Sequence, residues 1–390
     1  MCVDPFVTAA LQLTDCSGGS VSMSDTLPER LPVAEARTIV KSLLVPRPLR
    51  YWTDFLVSTA VGWGAFVAAL RVEPVWSPVL CVVASLALYR ALIFIHELAH
   101  LRKGTFGAFR FVWNLLCGIP LFVPSFTYHG VHNGHHKRAV YGTPADGEYV
   151  PFGAQAPYHI ITYLLLVFVL PLAFAARFLI LTPVSFLHPA LRRLAWERAS
   201  SLTIDLAYRR MPVGQASPGP AWRLQETATM IWAITVTALV ATGVVGWSVI
   251  LVWYIVTVVI VLLNSLRTLA AHAYRNADDR PMTLEEQFVD SVDVPGVPWV
   301  TALWAPVGLR FHATHHLFPS MPYHALPEAY RRLMSELPDT RVYEMATRTS
   351  LFDALRRLWA EARDSSAERA ARPAMMADSA TGGDGGTRAA

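Results

Sequence analysis

Histidine is the residue whose placement in this chain suggests chemistry. His96 and His100 stand in HELAH, His132, His135 and His136 in HNGHH, and His312, His315 and His316 in HATHH. Eight of the thirteen histidines thus fall in three short stretches of a 390-residue sequence. On a helix, residues three and four apart share a face, so each cluster is expected to aim its rings at a single point. Neutral imidazole suits iron, zinc, copper or nickel. Eight such donors exceed what one tetrahedral zinc uses and point to two ions of higher coordination number.

The elements that must position these rings are apolar. With 53% hydrophobic and only 16% charged residues, the chain has the composition of an all-α integral membrane protein. Its net charge of +4 is small. Arginines flank the apolar runs, which speaks for membrane orientation and against nucleic-acid binding. Cys2, Cys16, Cys81 and Cys117 show no paired spacing, which excludes a disulfide framework.

Residues 1–45 are polar and lack a basic stretch leading into an apolar one, so they read as a flexible cytoplasmic segment and not a signal peptide. Arg30, Arg37, Lys41, Arg47 and Arg50 place the N-terminus in the cytoplasm. Phe55–Leu70 and Val75–Ile95 then form a membrane hairpin that delivers HELAH to the starting side. Phe109–Phe126, interrupted by Gly118, Pro120 and Pro124, is expected to be interfacial or re-entrant, because a crossing would put the first two clusters on opposite faces. By the same parity Ile160–Leu187, broken by Pro171 and Arg177, does not cross. Pro189–Arg223 reads as an amphipathic cytoplasmic piece, and Thr229–Val245 with Val249–Ala271 as a second hairpin. About four transmembrane helices in two hairpins are expected, under a cytoplasmic helical cap that carries the histidines. Pro298–Leu309 is an apolar patch, Pro327–Arg363 a helical pattern, and residues 363–390 a disordered tail.

HELAH alone matches HExxH, in which two histidines hold zinc and the glutamate acts as base. A zinc intramembrane protease would leave the other two clusters idle, and no third ligand of the aspartate-glycine type appears in a later apolar segment. A non-catalytic membrane metal-binding protein would need polar residues spread through the bilayer, whereas these histidines gather at one face.

Taken together, HELAH, HNGHH and HATHH resemble the three histidine boxes of the membrane fatty acid desaturase family, in order, spacing and intervening hydropathy, from about residue 50 to about residue 335. HATHHLFPSMPYHALPEA is similar to the third-box region of acyl-lipid desaturases. The resemblance makes residues 46–362 the catalytic membrane domain. It implies a diiron centre of two iron ions held by His96, His100, His132, His135, His136, His312, His315 and His316. His272 matches a further histidine that some members carry ahead of the third box; an asparagine expected four residues before it is here Thr268, with Asn264 a turn further back.

The implied reaction uses O2 and two electrons to desaturate a lipid- or carrier-linked acyl chain. The rival on the same scaffold is a hydroxylase of lipids, alkanes or carotenoids; desaturation is favoured by HLFPSMPYH. The chain has neither the HPGG of a fused cytochrome b5 nor a CxxC pair, so an external donor such as a ferredoxin or a cytochrome b5-like protein is expected at the basic cytoplasmic surface. The expected location is the cell inner membrane, with the active site and both termini cytoplasmic.

Outer partners that orient imidazole N–H groups are sought among His129, Glu97, Asp146, Glu148, Asp290, Asp293 and His324. His159 and His188 are expected to be structural. Arg90 and Arg267, inside membrane helices, are expected to snorkel to the interface.

Overall fold

The computed structural model describes residues 31–101, 105–211, 220–278 and 280–381. Among these residues the fold is all-helical, with only isolated bridges joining His272 to Ser291 and Asp293 to Phe311 and Thr347. Residues 1–30, most of the expected leader, lie outside the described residues. Its end is folded: α1 (Val33–Val40) buries Ala36 and Val40.

Proline sets many helix starts, its fixed φ suiting a first turn where its missing N–H costs nothing. Pro48 opens α2 (Pro48–Ala69) and Pro78 sits in the first turn of α3 (Ser77–His100). The pair runs antiparallel: Tyr51 at the start of α2 meets Glu97 at the end of α3. Midway, a Cβ on Gly62 would stand 2.6 Å from Cγ of Leu88, so glycine permits the close approach.

The expected re-entrant piece is short. It holds α4 (Gly107–Trp113), a π-turn at Asn114–Gly118 and turns leading to α5 (Val131–His135). Next, α6 (Tyr158–Leu165), α7 (Leu170–Ala176) and α8 (Thr182–Ser185) form an apolar stretch bent by 51° between residues 168 and 170, either a broken span or a re-entrant loop. The amphipathic α9 (Pro189–Glu197) leads to α10 (Pro220–Ala241) and, after a turn with Gly243 at φ 74°, to α11 (Ser248–Ala271).

Helices α3, α10 and α11 are long and apolar enough to cross a membrane, and the bent stretch makes a fourth if it is one span. The expected four differ in one member. With Arg50 and Asp54 in its first half, α2 falls outside this set although its partner α3 belongs to it. The second pair is splayed: α11 packs on both α3 and the bent stretch, whereas α10 packs on the later part of that stretch.

The cap comprises α12 (Leu284–Asp290), α13 (Pro298–Trp304), α14 (His312–Leu317), α15 (Leu326–Glu336), α16 (Arg341–Met345) and α17 (Leu351–Thr381). A core around Phe288, Phe311, Leu326 and Tyr343 joins it to α1. The tail expected to be disordered from residue 363 continues α17 to Thr381; its alanines are strong helix formers.

A buried ion triad holds the bent stretch. Arg177 and Arg192 donate to the two oxygens of Glu226 at 2.6 and 2.5 Å, and Arg192 stacks over Trp222 at 4.4 Å. One carboxylate thus ties the bend, α9 and the start of α10 together.

Candidate metal centre

Helix ends deliver the histidines. His96 and His100 close α3, His132 and His135 lie in α5 with His136 as its C-cap, His272 caps α11, and the third box opens α14. The structure brings these nine side chains into two groups: His96, His100, His132, His136 and His315 in one, His135, His272, His312 and His316 in the other. Within each group one ligand atom per residue lies within 4.8 Å of every other.

The expectation that each box aims at one point is corrected. In HNGHH the pair four apart, His132 and His136, serves the first group, while His135 serves the second. In HATHH the pair His312 and His316 serves the second group and His315 the first. The cause is angular: at 3.6 residues per turn a side chain four on returns to within roughly 40°, whereas those three and four on from one residue differ by roughly 100°. Both boxes therefore stitch the groups together, and His136 stacks on His316 with ring centroids 4.3 Å apart.

The donor atoms fit a metal in each group. Glu148 takes Nδ1 of His132 at 3.0 Å, so this nitrogen carries the proton and Nε2 offers its lone pair. That Nε2 lies 2.9 Å from Nε2 of His100 and 3.1 Å from Nε2 of His136. In the second group Nε2 of His312 stands 2.9 Å from that of His272 and 3.1 Å from that of His316. Converging lone pairs repel unless a cation lies between them. With metal–nitrogen bonds of about 2.1 Å, ligands at right angles sit about 3.0 Å apart, which matches these spacings. Both nitrogens of His96 are buried without a hydrogen-bond partner among the described residues, as a donor awaiting a metal would be.

The outer partners differ between the groups. Asp146 accepts from Nδ1 of His135 at 2.8 Å and from the Gly142 N–H. Nδ1 of His272 meets the Tyr141 hydroxyl at 2.8 Å, which donates in turn to Asp290 at 2.8 Å. Tyr128 sits 2.9 Å from Nδ1 of His132. Asp293 takes the backbone N–H and hydroxyl of Thr314, fixing the turn between His312 and His315.

Burial pushes His132, His136, His272, His312, His315 and His316 well below the usual histidine value, and mutual repulsion adds to it. All six are neutral, the form that ligates. His135 departs from them: burial lowers it, but Asp146, Glu148 and Asp290 outweigh burial and raise it. Burial holds Glu148 and Asp293 up to about 7.

Several expected partners do other work. Glu97 accepts from the Tyr51 hydroxyl and from the Tyr323 N–H at 3.2 Å, and its oxygen is 3.9 Å from Nδ1 of His96. It clamps the first box to α2 and to the turn after the third. His324 accepts from the Arg47 N–H, away from both groups. Asn264 accepts from Arg267 at 3.0 Å, and the Thr268 carbonyl accepts from Tyr274. His129 is exposed and belongs to neither group. Arg90 pairs with Asp54 at 3.0 Å, and Arg267 donates to Asn264 at 3.0 Å. His188 caps α9 and His159 stacks on Tyr158.

Tyr128 and Tyr141 went unread in the sequence. Tyr128 precedes His132 by four residues, a helical signal that could have found it. Tyr141 reaches His272 across 131 residues of chain, where local spacing says nothing.

A family model described as fatty acid desaturase matches residues 73–348. The ceramide hydroxylase of Caulobacter vibrioides (strain NA1000 / CB15N) is 40% identical over 341 residues, covering 87% of this chain and 96% of that protein.

Proposed function

Because the chain belongs to the fatty acid desaturase family, we propose that it hydroxylates a hydrocarbon chain of a ceramide-type membrane lipid at a histidine-held diiron centre. The observation that carries this reading is the gathering of nine histidines into two adjoining groups at the ends of apolar helices. The relative's activity moves the choice from desaturation to hydroxylation, since the likeness spans 96% of that hydroxylase.

Two irons would supply the activation of O2 needed to attack an aliphatic C–H bond, for which side chains offer no acid or base handle. The balance is one C–H, one O2, two electrons and two protons in, and one C–OH and one water out. The protein's share is to orient the rings through Glu148, Asp146 and the Tyr141–Asp290 pair, and to keep the site dry. A narrow apolar cleft lies among Leu92, Val123, Phe174, Trp253 and Ile260. Leu92 precedes His96 by four residues on the same helix face, so a chain seated there would lie beneath the first group. The basic residues before α2 support a cytoplasmic placement of this end, with the chain in the cell inner membrane.

Desaturation stays as the second reading, carried by the HLFPSMPYH stretch after the third box. Both are tested by expressing the chain with a compatible electron donor and analysing lipids by mass spectrometry. Gain of one oxygen on ceramide, absent in His315→Ala, is expected. Loss of two hydrogens instead would move the assignment to desaturation, and neither change, with two irons bound, would sink both.

A further inference from the structure

Two arginines lie inside the apolar helices α3 and α11, and they are treated unequally. Arg90 has the carboxylate of Asp54. Arg267 donates to the side-chain oxygen of Asn264 at 3.0 Å, but its Nε is buried with no hydrogen-bond partner among the described residues. A guanidinium within a membrane-crossing helix is costly, and one that is kept marks a path for substrate or ions.

The register of two helices sets its height. The Ser85 hydroxyl reaches the Val256 carbonyl at 3.5 Å, and both helices then run on to the histidines. The same eleven-residue step leads from Ser85 to His96 on α3 and from Val256 to Arg267 on α11, so His96 and Arg267 stand at one level. The charge of Arg267 accordingly acts on His96, Glu148, His272 and His312.

Trp253, Ile260, Asn264 and Arg267 follow one another at steps of seven, four and three residues, which is one face of α11. Trp253 and Ile260 line the apolar cleft already described. This face therefore turns from apolar to polar where the cleft meets the histidines. A molecule with a hydrocarbon tail below and one oxygen above would match it, because a buried N–H left without an acceptor costs free energy that such an oxygen recovers. In a ceramide-type lipid the amide carbonyl is that oxygen.

Resting on the function proposed above, we propose that Arg267 binds the amide carbonyl of the lipid substrate through its Nε–H, while Asn264 holds the guanidinium in place. With the carbonyl at the level of His96 and the chain running down the cleft, the carbon offered for hydroxylation is among the first few from the amide. Position is thus measured from the polar end of the lipid, and added length at the methyl end leaves it unchanged.

The test uses the full chain in dodecyl maltoside micelles, with Kd measured on metal-free protein for N-palmitoyl sphinganine, palmitate and hexadecane. Arg267→Met should weaken binding of the ceramide about 10-fold or more, the size of a hydrogen bond to a charged group, and leave hexadecane unchanged. Arg267→Lys should recover part of the loss. An unaltered ceramide Kd in Arg267→Met overturns the inference, as does an equal loss for hexadecane. A loss confined to palmitate also overturns it and assigns the guanidinium to a carboxylate. Where neither variant folds, the unaltered enzyme decides by the place of the new oxygen in tandem mass spectra. Oxygen in mid-chain, or at a position that moves when the acyl chain is lengthened, overturns the inference. Failure of the proposed function reads differently: the unaltered, metal-loaded protein then yields no oxygenated lipid, whatever the ceramide Kd does in Arg267→Met.

Discussion

The two histidine groups share both HxxHH boxes, yet their surroundings are unequal. The five-membered group has one carboxylate behind it, Glu148 on His132, while Nδ1 of His96, His136 and His315 finds no partner among the described residues. The four-membered group has two: Asp146 on His135, and Asp290 through Tyr141 on His272. Negative charge is thus concentrated where ring donors are fewer. A carboxylate one hydrogen bond away makes an imidazole a stronger donor, so outer anions offset a missing ring, and His135 is the box member whose partners raise it. With four rings, the second group would also leave more of a bound ion's coordination sphere open, as sites that act on a bound molecule do.

The largest break in this comparison comes from removing a ring. His315→Ala and His135→Ala should each lower metal content from about two ions per chain to about one, and turnover by more than about 100-fold, beyond the range seen for outer partners. Metal analysis of the two variants should show different residual spectroscopic signatures. One shared signature would mean the nine histidines do not divide as five and four.

Acid should act next, on both groups together. Histidines held below their usual value of about 6.5 bind fewer protons folded than unfolded, so their contribution to stability is full above about 6.5 and is lost as pH falls below it. Glu148 and Asp293, held up to about 7, work the other way and weaken the fold as pH rises from their usual range toward 7. Six such histidines outnumber these two carboxyls and Asp290, which burial also raises, so metal retention and thermal stability should fall together between pH 7 and about 5. Stability flat across that range would contradict buried neutral rings.

Asp146→Asn should sharpen the contrast, weakening metal in the four-membered group by about 10- to 100-fold and leaving the other group loaded. Tyr141→Phe breaks the link from His272 to Asp290 and should cost about 10-fold at the same group. At the small end, His324→Ala removes the acceptor for the Arg47 N–H and edge contacts with Tyr51 and Tyr323, about 1 kcal/mol or somewhat more of stability, with no change in bound metal. Metal loss there would place His324 nearer the site than its contacts do.

Much of the site was legible because its signals are local. Donor type, box spacing and apolar flanks are short-range properties, and they singled out eight of the nine grouped histidines, while His272 came from the family resemblance and Asp146 and Glu148 were two of several carboxylates sought as outer partners. What stayed hidden depends on contacts distant in sequence: Tyr141 on His272, Glu97 as a clamp, and Glu226 between two arginines. The Arg90 partner, Asp54, was equally out of reach of local spacing because it lies on another helix. The C-terminal segment after residue 363 misled in the opposite direction, as its small and charged residues suit a solvated tail and a long alanine-rich helix equally well.

By itself the sequence determined that an apolar helical chain carries three imidazole clusters to its helix ends, because hydropathy and helical period act over a few residues. The same helical period holds the rings three and four on from one residue roughly 100° apart, a divergence that the expectation of one point per box passed over. Only the tertiary structure decided which ring joins which group. That choice is set by the rotation of α3, α5 and α14 about their axes, fixed by distant contacts such as Asp293 on Thr314 and Glu97 on Tyr51.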